Sequence, residues 1–317
     1  MKVIFWGTCG SLPAPITAEV VREKIKKAVL IAKTHPPPDN DSLDEYIEKM
    51  PFEVRGTYGG NTSCVEIVEG DERLLCDAGT GLRDFGLNLM AEKGNSEPGA
   101  FHIFISHPHW DHIQGFPFFS PAYIPGNKIH IYGCHDELER AFHLQQTSPF
   151  FPVDFNSLEA DIQFVRLDPH CAHHIAGFDV HIIEQDHPGT SYGYRFEKNG
   201  KTVVYSSDSE HRKNVYDESY CFIEFYKNAD LLIFDAQYIF ADSITHKENW
   251  GHSSNIIAVE LAMRSGVKHL CLFHVEHTFS DAMLTQMLEN TLRYRKQIAN
   301  NGSMNVTMAY DGLEITL

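Results

Sequence analysis

His107-Pro108-His109-Trp110-Asp111-His112 places four metal-binding side chains within six residues. It follows the apolar run Phe101-His-Ile-Phe-Ile-Ser106, which reads as a buried strand. A strand that stops and at once offers His-x-His-x-Asp-His sets His107 and His109 on one side of an extended loop. Asp111 and His112 then turn towards a neighbouring position. Imidazole and carboxylate together suit zinc, iron or manganese rather than calcium or magnesium. A polar surface loop is the plain alternative in a chain with 19 His. Four ligand side chains at this spacing behind a strand argue against it.

A chain of 317 residues can bury a large core. Its net charge of −17 and lack of a basic run disfavour a grip on a nucleic-acid backbone, so a small-molecule substrate is expected and no nucleic-acid partner. No apolar run approaches bilayer length, so no membrane partner is expected. The start, Met1-Lys-Val-Ile-Phe-Trp-Gly7, reads as a first strand rather than a secretory signal. The seven cysteines are scattered, with no Cys-x-x-Cys pair, which fits free thiols in a reducing cytoplasm.

Apolar strand-like runs recur at 3–6, 64–68, 73–77, 103–106, 128–132, 178–183, 191–197, 202–206, 231–235, 269–274 and 305–309. Helical patterns cover 136–146, 254–265 and 280–297, with Ser254 and Ser280 placed as N-caps. The mixture predicts an α/β (α+β) fold of two sheets with helices outside. One domain is expected over 1–317, with an insertion at about 12–55. That insertion holds a charged helix, the Pro36-Pro37-Pro38 break and an acidic stretch at 41–49, and it suits a lid or a homo-oligomer contact.

Further candidate ligands stand at strand ends. His187 follows the 178–183 run, Asp208 follows 202–206, and His274 ends the 269–274 run. A His-x-His-x-Asp-His loop followed by His, Asp and His in this order resembles the metallo-β-lactamase superfamily. The resemblance covers nearly the whole chain and implies a four-layer αβ/βα sandwich, with the metal site at the edge between two mixed sheets. It implies that His107, His109 and His187 hold one divalent metal, that Asp111, His112 and His274 hold the other, and that Asp208 bridges them. Zinc is the first choice, with manganese or iron as alternatives. Asp77, in Leu-Leu-Cys-Asp-Ala-Gly-Thr-Gly, matches a position that orients the metal loop.

Tyr58-Gly-Gly-Asn-Thr-Ser-Cys64, Gly115-Phe-Pro-Phe-Phe119, Asp235-Ala-Gln-Tyr238 and Trp250-Gly-His-Ser-Ser254 are similar to a bacterial hydrolase branch near ribonuclease Z and the phosphonate-pathway cyclic phosphodiesterase. The resemblance implies a phosphodiesterase. Two metals roughly 3.5–4 Å apart share a hydroxide that attacks phosphorus in line. His252 protonates the leaving oxygen, and Asp235 orients that imidazole. His252, Asp111 and Asp235 are thus the expected catalytic residues. Ribonuclease Z itself is disfavoured, because its tRNA-gripping arm is often inserted where only 20 residues separate His187 from Asp208. Penicillin hydrolysis is disfavoured because many such members carry Cys where Asp208 stands.

Hydrolysis of a carboxylic ester, lactone or thioester is the alternative on the same metals. A di-iron redox or oxygen-binding protein is the alternative of another class, although such members commonly place Glu where His109 stands. His211 and His277 are expected near substrate or behind the ligands. The cluster His170-Cys171-Ala-His173-His174 reads as a polar loop, and Phe116, Phe118, Phe119, Phe150 and Phe151 as pocket wall or packing.

Overall fold

Strand β1 (Lys2–Gly7) alternates half-buried and buried side chains, with Val3 and Phe5 turned inward. In the computed structural model, which describes residues 1–93, 98–211, 213–239, 249–298 and 304–317, β1 lies near one edge of a seven-stranded sheet. That sheet runs β14 (Glu314–Thr316), β1, β2 (Cys64–Glu69), β3 (Glu72–Cys76), β4 (Ala100–Phe104), β5 (Lys128–Gly133) and β6 (Asp161–Arg166). The second sheet runs β13 (Asn305–Met308), β12 (His269–Phe273), β11 (Leu231–Asp235), β10 (Lys201–Ser206), β9 (Ser191–Lys198), β8 (Phe178–Gln185) and β7 (His173–Ile175). Both are mixed: β3 to β6 and β10 to β13 pair in parallel, while the other pairs are antiparallel.

The sheets close on each other through Phe5, Val65 and Phe104 from one and Phe178, Tyr194 and Phe273 from the other. The rings of Phe5 and Phe273 lie 6.1 Å apart, and those of Phe104 and Tyr194 5.4 Å. Each such buried aliphatic or aromatic side chain contributes about 1.5–3 kcal/mol. Outside the first sheet lie α4 (Gly81–Lys93) and α6 (Leu138–Gln145), through Leu82, Phe85 and Phe142. Outside the second lie α7 (Cys221–Tyr226), α8 (Asn255–Arg264) and α9 (Asp281–Ile298), through Phe222, Leu261 and Leu284. These are the four layers of the expected αβ/βα sandwich. Ser254 caps α8 as predicted, its hydroxyl accepting from the Ile257 amide.

The segment at 12–55 forms α1 (Ala18–Thr34), α2 (Leu43–Glu48) and α3 (Phe52–Arg55). Thr17 caps α1, and the three prolines follow its end. Lys24 ties α1 down, its ammonium donating to the Glu53 and Gly56 carbonyls and to Asp281. Three strands and two of the outer helices, α4 and α7, escape the sequence reading. β6 and β7 are polar, partly exposed edge strands, β14 has three residues, and Gly81 and Gly86 dilute the helical pattern of α4. His173 and His174 therefore lie in a strand rather than a loop.

Candidate metal centre

The candidate ligands all leave the carboxyl ends of strands that run in one direction, so topology alone collects them at one edge. Ser106 and His107 follow β4, while His187, Asp208 and His274 follow β8, β10 and β12. The short helix α5 (Trp110–Ile113) then turns Asp111 and His112 inward. Asp77, Asp208 and His274 take left-handed backbone angles, with φ of 61°, 50° and 56°. Such angles cost of order 1–3 kcal/mol each and persist where the surroundings over-determine them.

The seven side chains expected as ligands form one cluster in two halves. His107 Nε2 lies 2.8 Å from His109 Nδ1, which lies 3.0 Å from His187 Nε2. In the other half, Asp111 Oδ2 is 3.4 Å from His112 Nε2 and 3.2 Å from His274 Nε2. Asp208 stands between. Its Oδ2 is 3.7 and 3.8 Å from His107 and His187, and its Oδ1 is 3.3 Å from both His112 and His274. A tetrahedral ion with bonds of about 2.0–2.1 Å needs donor atoms about 3.3 Å apart. Among the described residues the buried His112 Nε2 has no hydrogen-bond partner, although two carboxylates face it. These residues fit two divalent cations, one per half.

Charge supports the fit. Burial pushes the imidazoles of His107, His109 and His187 down, so they stand neutral, as metal ligation requires. Burial would push Asp208 up, but the charges of His274 and His112 hold its carboxyl well below the ordinary range. Burial would likewise lower His274, yet Asp208 and Asp111 lift it to about 9. The second half thus calls for positive charge. Among the described residues no Lys or Arg forms an ion pair with Asp111 or Asp208.

Supporting bonds orient the ligands. Asp77 accepts from His112 Nδ1 at 2.7 Å, from the Ser106 amide at 2.7 Å and hydroxyl at 2.8 Å, and from the Tyr205 hydroxyl at 2.6 Å. His187 Nδ1 lies 2.8 Å from the Gly251 carbonyl. Gly251 has φ +84°, and a Cβ there would fall 2.3 Å from that same Nδ1. The Ser11 amide donates to Asp111 Oδ2 at 2.8 Å, and Gln237 Nε2 donates to Ser11 Oγ at 3.1 Å. Ser11, Ser106, Tyr205 and Gln237 were absent from the sequence expectation. They lie in or beside its motifs, but no spacing rule marks them.

His252 joins the cluster from the loop before α8. Its Nδ1 is 2.9 Å from Asp235 Oδ2, and its ring stacks 5.2 Å from that of His274. Asp235 also accepts from the amides of Ser209 and Gln237.

Other expectations fare differently. The His211 ring turns away into an aromatic core, stacked on Phe234, with Nδ1 2.7 Å from the Tyr220 hydroxyl. Burial there drives its pKa down to about 3, because an apolar wall disfavours the imidazolium. His277 lies 3.0 Å from Glu276 and lines a cavity of about 330 Å³ with residues of the 12–55 segment. Neither joins a ligand group among the described residues. The 170–174 histidines are tied to local partners, His173 to the Asp168 carbonyl and His174 to Asp179, and among the described residues they build no metal group. Phe116 and Phe119 are core, whereas Phe118 and Phe150 are exposed.

Comparison with known proteins agrees with this geometry. Residues 72–275, which carry every candidate ligand, match the family model described as a beta-lactamase superfamily domain. A ribonuclease Z of Trichodesmium erythraeum is 25% identical over 251 residues, spanning 67% of this chain and 76% of that protein. Among solved structures, the metallo-beta-lactamase fold protein YhfI from Bacillus subtilis superposes with a TM-score of 0.64 at 21% identity, over 99% of this chain and 98% of that one. A diphosphatase from the PhnP family gives 0.61 at 20% identity, over 100% and 97%. The clustered histidines and aspartates, the two facing sheets and the matched span make this chain a member of the metallo-β-lactamase superfamily, among its metal-dependent hydrolases.

Proposed function

We propose that this protein is a dinuclear phosphodiesterase acting on a small or cyclic phosphodiester, with His252 as general acid. The observation that carries the reading is the His252–Asp235 pair set against the cluster, with His252 Nδ1 2.9 Å from Asp235 and 3.9 Å from Asp208 Oδ2. A carbonyl hydrolysis has less need of a paired imidazole beside the leaving group. When bound, two divalent cations supply Lewis acidity to phosphoryl oxygens and a water-derived nucleophile at neutral pH.

The chain's own residues do the rest. Asp208 presents one oxygen to each half of the site and sets their spacing. The Ser11 amide holds the Asp111 carboxylate in register. Asp235 accepts a hydrogen bond from His252 Nδ1–H, which leaves Nε2–H to deliver a proton to the departing oxygen. Asp235 also stabilises the imidazolium before that transfer. His109 is exposed, so substrate enters on its side.

A precursor transfer RNA is the second reading, because curated relatives are ribonuclease Z. The small substrate is favoured by the −17 net charge. It is also favoured by the path from His187 to Asp208, which consists of β9 and β10 joined at Asn199 and Gly200, with no room for an RNA-gripping arm.

Metal analysis and bis-p-nitrophenyl phosphate hydrolysis, run on one preparation beside Asp208→Ala and His252→Ala, test the proposal. We expect about two metals per chain, turnover abolished in Asp208→Ala, and turnover reduced about 10²–10⁴-fold in His252→Ala with its metals retained. A fully metallated protein that leaves every diester intact would overturn it. Cleavage confined to transfer RNA precursors would replace it with the second reading.

A further inference from the structure

The segment at 12–55 carries an amphipathic surface that the monomer leaves uncovered. No residue of the 17-residue helix α1 is buried. Val21, Ile25 and Val29 repeat every fourth residue along one stripe and are 39, 58 and 47% exposed. Arg22 and Lys26 flank that stripe and Lys33 ends it, and α1 holds five basic residues against two acidic in a chain of net charge −17. The neighbouring α2 repeats the pattern with the opposite sign. Leu43 and Ile47 are 40 and 44% exposed, and Asp39, Asp41, Asp44, Glu45 and Glu48 surround them.

Within one chain Tyr46 of α2 donates to the His35 carbonyl at the end of α1, but the flanking charges are not paired across the two helices. Lys26 pairs with Glu23, Lys49 with Glu45, and Arg55 with Glu48, and no recorded ion pair joins α1 to α2 among the described residues. A basic apolar helix and an acidic apolar helix on one segment are the two halves that a two-fold interface requires, in which each patch meets its complement on the other copy.

We propose that this segment is a self-association surface: α1 of one copy docks on α2 of a second copy, and reciprocally, giving a two-fold dimer. A second copy is favoured over a lipid surface because an anionic membrane would attract α1 but repel the adjoining acidic α2. Pairing α1 on α1 is disfavoured because it would set Arg22, Lys26 and Lys33 against their own copies.

Sedimentation of the metal-loaded full chain tests this. We expect twice the 36.0 kDa mass at about 0.1 M salt and weakening association at about 0.5 M, since the flanking charges are exposed. Ile25→Glu and Val29→Glu should each weaken association about ten-fold or more, with metal content unchanged. An Ile25→Cys/Ile47→Cys double variant should form an intermolecular disulfide that neither single variant forms. A 36.0 kDa monomer at tens of micromolar overturns the proposal, as does a dimer indifferent to Ile25→Glu. So does cross-linking by Ile25→Cys alone, or binding to phosphatidylserine vesicles that Ile25→Glu abolishes.

Discussion

Asp235 Oδ2 lies 2.9 Å from His252 Nδ1, and the same carboxylate also accepts two backbone amides, from Ser209 and Gln237. The carboxylate is therefore fixed before any substrate arrives, and the imidazole takes its orientation from it. An acid that must release and regain a proton gains from such a partner, because the imidazolium is stabilised without rearrangement.

Asp235→Asn should consequently lower kcat about 10–100-fold, while KM and metal content hold. Loss of metal, or an unchanged kcat, would count against this role.

Asp77 and Tyr205 separate two levels of support for His112. Asp77→Ala removes the acceptor that holds the His112 ring and should weaken metal binding about 10–100-fold in competition with a chelator. Tyr205→Phe removes one of several donors to Asp77 and should cost only about 0.5–1.5 kcal/mol in urea unfolding. Equal effects of the two would refute the hierarchy.

His211 makes stability depend on acid. The folded chain holds it neutral to about pH 3, whereas the unfolded chain protonates it near its ordinary value of 6.5. Its contribution is complete above pH 6.5 and is lost as pH falls from there, at about 1.4 kcal/mol per unit. His211→Phe should lose about 1 kcal/mol at pH 8 with the Tyr220 bond, yet flatten the slope between pH 8 and 5.5. An unchanged difference between the two proteins across that range would disprove the assignment.

Gly251→Ala sets a methyl group against the His187 ring at a left-handed backbone position. A cost of about 1–3 kcal/mol is expected, together with weaker metal retention in the half that holds His187. Thermal melts with and without a chelator read both effects. A variant that melts and binds metal like the parent would show that the loop yields freely.

Much of the site was legible in the chain because ligand chemistry is local. His107, His109, Asp111 and His112 sit within six residues, and His187, Asp208 and His274 each close an apolar run whose period marks a strand. Polar edge strands such as β6 and β7 stayed hidden, since their side chains face solvent on much of their length and lack an apolar period. The histidines at 170–174 and 211 misled for the converse reason. Residue type and closeness in sequence do not state which way a ring points.

Residue chemistry and apolar period alone state which residues can ligate, which apolar runs form strands, and the order in which they follow one another. Packing in three dimensions is what makes Asp208 divide its two oxygens between the halves of the site, sets His211 in an aromatic core, and brings Ser11 to Asp111 from 100 residues away. Ligand identity is a property of side-chain chemistry, which the chain states residue by residue. Distance and orientation arise where strands from distant parts of the chain pack, and that packing follows from burying both sheets at once rather than from any local pattern.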